Sequence, residues 1–378
     1  HQTTVASGHP SVSAHGRYVA FESADSHLVG DDTNGLSDVF VHDNITGTTE
    51  RTSTTNGGGE ANGASAQPSI SSDGRFVAFT SAATNLVADG SDATNTDVFV
   101  KDRRTGDVSL VSVRDDESSI ADPASSPVIS GDGRSVAFAT QSIRQIVDPP
   151  VVAAIPFGPF VRHLDVGTTV LMEGTSLTGY VVVTSFDLSD DGSVIVYNEV
   201  DVPRAFLGST FVGNAVTGAQ NGTIEHHPVS PSGPFPPTAV AVSADGKRFA
   251  VAANPTSTTG DAAMSVGSTS DPTHPTTTFR LGITAGVFLS SDGTTLGAQT
   301  TIFGGPAAVV WPVVGGSGTI VSWTADGRRL VPTTQAAMSA DGSWFAFVSG
   351  DDHLVSDDTN GVADVFTRAS GQRPAPPT

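Results

Sequence analysis

Aspartates at short, repeated spacings are the residues in this sequence best suited to chemistry. Asp31-Asp32-Thr33-Asn34-Gly35 is followed by Asp38, and Asp357-Asp358-Thr359-Asn360-Gly361 by Asp364. A looser run, Asp89-Gly90-Ser91-Asp92-Ala93-Thr94-Asn95, is followed by Asp97. A hard cation takes several carboxylate and carbonyl oxygens from a short loop that bends at a glycine. Asp31, Asp32, Asn34, Asp38, Asp89, Asp92, Asn95, Asp97, Asp357, Asp358, Asn360 and Asp364 are therefore candidate ligands, with Ca2+ the candidate ion. The loops lack the full spacing and the terminal Glu of an EF-hand. The same residues have a second reading, in which Asp and Asn cap turns by accepting hydrogen bonds from nearby backbone amides and bind nothing.

Other chemistry is poorly served. There is no Gly-x-Ser-x-Gly elbow, no His-Glu-x-x-His, no phosphate-cradling glycine loop and no cysteine. The ten histidines are scattered, and His27 and His353 precede two acidic loops at matching positions, which suits a structural role. With 39 carboxylates against 18 basic residues the formal charge is −21, which repels nucleic acid and anionic membranes and favours cationic partners or metal ions. Without cysteine the redox compartment is not fixed. The weakly polar stretch from Pro149 to Val161 is broken by four prolines and a glycine, so no transmembrane helix is expected. The chain opens at His1 without a charged n-region and apolar h-region, and the expectation is a mature secreted product or a chain whose signal has been removed.

The elements that must position the acidic loops are strands of a long repeat. Ser11 to Ser53, Ser69 to Ser112 and Met338 to Ser370 align almost residue for residue. In the second, Ser69 to Ser81 reads as a short strand, an Asp-Gly turn and a longer strand. The acidic loop follows, then Asp97 to Asp102, a Thr-Gly turn and a fourth strand from Asp107 to Val113. Four antiparallel strands make one propeller blade. The inner strands are apolar on both faces (Val77, Ala78 and Phe79), as sheets stacked between neighbours require.

The turn anchor recurs at His15-Gly16, Asp73-Gly74, Asp132-Gly133, Asp191-Gly192, Asp245-Gly246, Asp292-Gly293 and Asp341-Gly342. An eighth match, Asp326-Gly327, lies too close to Asp341 to hold a blade and reads as a hairpin inside a connection. The fold expected is all-β: a seven-bladed β-propeller of four-stranded blades. It spans residues 1–370 as one domain, with 371–378 a Pro-rich tail or linker. Residues 2–7 resemble the fourth-strand segment from Thr48 to Ser53 and are expected to complete blade 7, removing exposed edges.

The run Pro68 to Phe79, with copies at Pro10 to Phe21 and Ala337 to Phe347, resembles the WD40-like repeats of the TolB propeller family. The resemblance is close in blades 1, 2 and 7, weaker in 3, and confined to the turn anchor in 4 to 6. It implies a propeller of the bacterial envelope or exterior that binds partners, and it implies no catalytic residues. TolB has six blades in its propeller, so its partner does not carry over.

Loops between the second and third strands, and between blades, emerge on one face, and the tight turns on the other. The three acidic loops are expected to form a crescent on the loop face, on consecutive blades 7, 1 and 2. Blades 3 to 6 replace them with apolar, Pro-rich segments, and Phe157, Phe160, Arg204, Phe206, Phe235 and Trp311 are the candidate ligand-binding residues of a docking surface. The opposing reading folds these aromatics against their own blades. The function expected is a secreted or envelope-associated, non-catalytic binding module that recognises a partner protein or glycan, as part of a larger assembly or alone. The alternative is a carbohydrate-active enzyme working in the central funnel with Arg162, His163, His226 and His227.

Overall fold

The computed structural model describes residues 4–88, 95–120, 122–140, 159–172, 181–201, 207–226, 239–253, 262–272, 277–281, 284–302, 305–314, 317–324, 331–355 and 358–370. The anchor Asp326-Gly327 and the tail 371–378 lie outside them.

Each repeat opens on the same hairpin, and its turn explains the recurring Asp-Gly. In the second repeat Ser71 Oγ donates to Asp73 Oδ1 (2.8 Å) and accepts from Phe76 N (2.9 Å), and Gly74 N closes the turn on Ser71 O (2.9 Å). The Ser-to-Asp bond recurs at 2.6–2.7 Å from Ser130, Ser189, Ser243, Ser290 and Ser339. In blade 1 His15 takes the aspartate's place, and its Nδ1 lies 2.9 Å from Asp341 Oδ2 of blade 7.

The turn glycines have φ between 66° and 74°, a region L side chains rarely adopt. They are also sockets. A Cβ at Gly74 would lie 2.1 Å from the Tyr18 ring, and one at Gly16 2.3 Å from the Trp344 ring. In the later repeats Ser135, Val194, Arg248 and Thr295 occupy the corresponding place. Each glycine thus receives the first residue of the second strand of the preceding blade, and blade 7 serves blade 1 in the same way.

From these turns grow seven antiparallel sheets in chain order. Blade 1 comprises β1 (Ser7–Val12), β2 (Tyr18–Ser23), β3 (Asp38–Asp43) and β4 (Thr48–Arg51), and blade 2 β5 (Ser65–Ile70), β6 (Phe76–Ser81), β7 (Asp97–Asp102) and β8 (Val108–Leu110). Blade 3 comprises β9 (Ala124–Ile129), β10 (Ser135–Thr140), β11 (Phe160–His163) and β12 (Thr168–Leu171), and blade 4 β13 (Val181–Leu188), β14 (Val194–Asp201), β15 (Leu207–Asn214) and β16 (Gln220–His226). Blade 5 comprises β17 (Ala239–Val242), β18 (Arg248–Ala253), β19 (Ala262–Ser268) and β20 (Thr277–Leu281), and blade 6 β21 (Thr284–Leu289), β22 (Thr295–Ile302), β23 (Gly305–Pro312) and β24 (Thr319–Ile320). Blade 7 has three strands among the described residues, β25 (Gln335–Met338), β26 (Trp344–Ser349) and β27 (Asp364–Ala369). The protein is an all-β, seven-bladed propeller.

The core lies between blades, which is why the central strands are apolar on both faces. Ala20, Val39 and Val41 of blade 1 pack on Ile70, Val77 and Phe79 of blade 2, and Ala78, Val98 and Val100 on the other side of blade 2 meet Val136 and Phe138 of blade 3. Within blades, an aromatic of the second strand stacks on its partner in the third: Phe21 on Phe40, Phe79 on Phe99, Phe138 on Phe160, Tyr197 on Phe211 and Phe347 on Phe366, with centroids 5.1–6.1 Å apart.

Along the axis, edge N–H groups of the innermost strands bond to side chains of the preceding blade. Ile70 N donates to Ser11 Oγ (3.1 Å), Ile129 N to Ser69 Oγ (3.1 Å) and Val242 N to Asp187 Oδ2 (2.8 Å). Bulges at His9, Gln67 and Ser126, with φ of 47–55°, turn further donors the same way: His9 N to Gln335 Oε1 (2.5 Å), Gln67 N to Glu22 Oε2 (2.8 Å) and Ser126 N to Gln67 Oε1 (3.0 Å).

The closing strand expected over residues 2–7 is not among the described strands. Residues 1–3 lie outside the description, Thr4 to Ala6 form no strand, and Ser7 begins β1, its N–H donating to Ala363 O (2.8 Å). Among the described residues blades 7 and 1 meet face to face: β1 packs against β25, β26 and β27, Asp341 N donates to Ala14 O (3.2 Å), and Trp344 fills the Gly16 socket.

Two predictions follow from this frame. Gly74→Ala combines a disfavoured φ with a clash against Tyr18, and unfolding in urea is expected to show a loss of about 3 kcal/mol. In blade 4, Glu199 on β14 stands where blades 1, 2 and 7 carry Ser23, Ser81 and Ser349. It is 4% exposed, its Oε1 has no partner, and burial raises its pKa from 4.5 to about 8. A carboxyl that holds its proton more tightly when folded loses stability as pH rises from about 4.5 to about 8. Glu199→Gln is expected to remove that loss, so its advantage in melting temperature over wild type should grow across this window.

Candidate functional site

The loop from β2 to β3 of blade 1 is held by residues far from it in sequence. Glu60, on the connection from β4 to β5, accepts from Thr33 N (2.7 Å), Thr33 Oγ1 (2.9 Å) and Asn34 N (3.2 Å), and Asn34 Nδ2 donates to Ala61 O (3.0 Å). Asn34 Oδ1 caps the turn by accepting from Leu36 N (2.7 Å). The connection is tied in turn to blade 2, where Asn62 N donates to Asn85 Oδ1 (3.0 Å) and Asn85 Nδ2 to Glu60 O (2.9 Å).

Arg51, the last residue of β4, points into this assembly, and its side chain is 3% exposed. Its Nη1 lies 2.7 Å from Glu60 Oε1, 3.6 Å from Asp32 Oδ1 and 3.8 Å from Asp38 Oδ2, and its Nη2 donates to Asp31 O (3.0 Å). Only the Glu60 contact, among these three carboxylates, is short enough to be a hydrogen bond. Asp38 Oδ1 accepts from Ser53 Oγ (2.5 Å), while Asp38 Oδ2 and both oxygens of Asp32 are buried without a hydrogen-bond partner. Burial pushes the Asp32 and Asp38 carboxyls up, against the pull of Arg51 on both and of the Ser53 bond on Asp38. Glu60 goes the other way, to about 2, chiefly because the Thr33 amide holds its ionised form. The outcome is a preformed acidic pocket roofed by Asp31, whose side chain is 75% exposed.

The other two acidic loops share parts of this design. In blade 2, Asp97 accepts from Ser112 Oγ (2.7 Å) as Asp38 does from Ser53, but Leu110 stands where blade 1 has Arg51. Asn95 is described there, whereas Asp89 and Asp92 lie outside the described residues. In blade 7, Asp358 occupies the place of Asp32 and is likewise buried with both oxygens unpartnered. Asn360 caps its turn through Val362 N (3.0 Å) and donates to Asp364 Oδ2 (2.7 Å); Asp357 lies outside the described residues. Asp351, Asp352 and His353 form a second group of potential ligands, more exposed than the first. His27 and His353 each lie against an aspartate two residues earlier, Asp25 (2.9 Å) and Asp351 (3.2 Å).

The apolar candidates fare differently. Phe160 begins β11 and stacks on Phe138 at 5.5 Å, the same cross-strand pair that other blades contain. Trp311 lies near the end of β23, beside the tight turn on the face opposite the loops. It is 9% exposed in the core between blades 5 and 6, its ring where a Cβ on Gly318 would be. Phe157, Arg204, Phe206 and Phe235 lie outside the described residues.

Two residues of the enzymatic alternative, Arg162 and His163, are also engaged. His163 is buried between Ser135 Oγ (2.8 Å) and Ala215 O (3.1 Å). Arg162 donates to Gly167 O (2.8 Å), Thr169 Oγ1 (3.2 Å) and Glu117 Oε1 (2.5 Å). Both sit at the turn end of β11. His226 ends β16, and His227 lies outside the described residues.

No protein-family model matches the chain, and no curated protein matches it by sequence. Solved structures do. Hydrazine synthase from Kuenenia stuttgartiensis superposes with a TM-score of 0.54 at 13% identity, covering 95% of this chain and 94% of that one. The β-propeller domain of the Trilobed protease from Pyrococcus furiosus, of open velcro topology, superposes with a TM-score of 0.55 at 11% identity, covering 97% and 94%. TolB from Acinetobacter baumannii matches at 18% identity over 70% of this chain and 52% of its own, with a TM-score of 0.40. At these identities the likeness to the first two is one of fold.

The geometry of the pocket makes Arg51 its positive charge. Arg51→Met strands buried carboxylates, and without added metal is expected to lower stability by about 3 kcal/mol, measured by urea unfolding.

Proposed function

We propose that this chain is a non-catalytic binding module, secreted or held in the cell envelope, that recognises a partner protein or glycan through the loop face of blades 7, 1 and 2. The observation that carries this reading is the preorganisation of the acidic pocket. Glu60, Asn34 and Arg51 fix the loop 31–38 against the neighbouring connection and leave Asp31 outermost. A surface already held in one conformation loses little entropy on binding.

The chemistry of the residues favours binding over turnover. Arg162 and His163 are spent on structural bonds away from the loop face. The charge of −21 selects partners that present cationic groups or neutral hydroxyls. Among the described residues no helix is long and apolar enough to cross a membrane.

Binding to a glycan array and to immobilised basic and neutral proteins tests the reading. Asp31→Lys, which reverses an exposed charge on the loop face, is expected to abolish binding, whereas Lys247→Glu, 79% exposed in a turn on the other face, should leave it intact. Equal loss in both variants, or none in either, would remove the loop face from the proposal.

A further inference from the structure

We propose that the acidic pocket of blade 1 is a Ca2+ site, with Asp32, Asp38 and Glu60 as its carboxylate ligands. One oxygen from each lies within 4.8 Å of the others. Two oxygens that share a Ca2+ at its usual bond lengths are no more than about 5 Å apart, so the three reach one ion. The donors are all hard oxygens, which suits Ca2+ and not Zn2+.

The independent observation is the state of Asp32. Its side chain is 1% exposed, it faces Asp38 and Glu60, and neither of its oxygens has a hydrogen-bond partner. Turn capping does not account for it, because Asn34 already caps the turn. Arg51 does not account for it either: one guanidinium faces Asp31, Asp32, Asp38 and Glu60, and its approach to Asp32 stops at 3.6 Å. A buried carboxylate that accepts no hydrogen bond and shares one guanidinium with other carboxylates is costly, and a divalent ion supplies both further positive charge and the missing coordination. Blade 7 repeats one part of this, with Asp358 buried and both its oxygens without a hydrogen-bond partner while Asn360 caps the turn.

The ion and the Arg51 guanidinium are rivals for the same oxygens. Bound Ca2+ would add a further tie between the loop 31–38 and the connection that already holds it through Glu60 and Ala61. The site stands whether or not the loop face has a macromolecular partner, and its test uses the ion alone.

The full chain, stripped with chelator, is titrated with CaCl2 by calorimetry and melted with and without millimolar Ca2+. Wild type is expected to bind with saturable heat and to melt at higher temperature in Ca2+. Asp32→Asn should melt no lower than wild type in chelator, since it removes a buried carboxylate that accepts no hydrogen bond and leaves Arg51 with Asp38 and Glu60, yet bind one Ca2+ fewer per chain. Glu60→Gln, on the other segment, should weaken binding by about tenfold or more. Arg51→Met should tighten it by about tenfold, as the rival cation is gone. Absence of heat and of a melting shift in wild type, or a full response retained by Asp32→Asn, would overturn the site. An unchanged affinity in Arg51→Met would overturn the rivalry.

Discussion

A glycine near φ 70°, with a neighbour's side chain where its own Cβ would be, is the contact on which the ring depends. The left-handed backbone sets the direction in which each chain re-enters its blade, and the vacancy at Cβ sets how closely consecutive blades approach. Because the socket accepts Tyr18, Phe76, Trp344, Ser135, Val194, Arg248 or Thr295, the repeat tolerates wide divergence on one side of the contact and none on the other. This asymmetry explains why the turn anchor persists in blades 4 to 6 after the rest of the repeat has drifted.

The same division between invariant frame and variable filling runs to the axis and to the loops. Edge amides of the innermost strands are satisfied by whatever acceptor the preceding blade offers: serine in blades 1 and 2, aspartate in blade 4. On the loop face, Asn34 and Asn360 perform the local turn chemistry, in which Asp32 and Asp358 take no part. The position of Arg51 varies in kind as well, holding Leu110 in blade 2 and Leu171 in blade 3. One side chain therefore decides whether a blade carries its own positive charge beside its loop.

What could be read in the sequence was local, and what could not was assembled from a distance. Asp-Gly turns advertise their φ directly, so the seven anchors and the blade count were legible, as was the pairing of Asp32 with Asp38 across a short loop. Glu60 and Arg51 carry no motif and reach the loop only because the connection from β4 to β5 folds over it. Phe160 and Trp311 read as loop aromatics because Pro-rich sequence hides where β11 and β23 begin. A closer signal was available for the first: Phe160-Val161-Arg162-His163 follows the pattern Phe40-Val41-His42-Asp43, which places the ring in a cross-strand stack. The closing strand expected over residues 2–7 falls partly outside the described residues, and of that span Ser7 belongs to β1.

The seam between blades 7 and 1 is built from the same socket, backbone bond and face packing as other junctions, and at none of them does a strand ladder cross among the described residues. At other junctions the backbone itself joins the two blades. Parting this seam, like any other, would separate two complementary faces without unzipping a sheet, so the cohesion of the ring rests on filled sockets and packed faces and not on strand pairing.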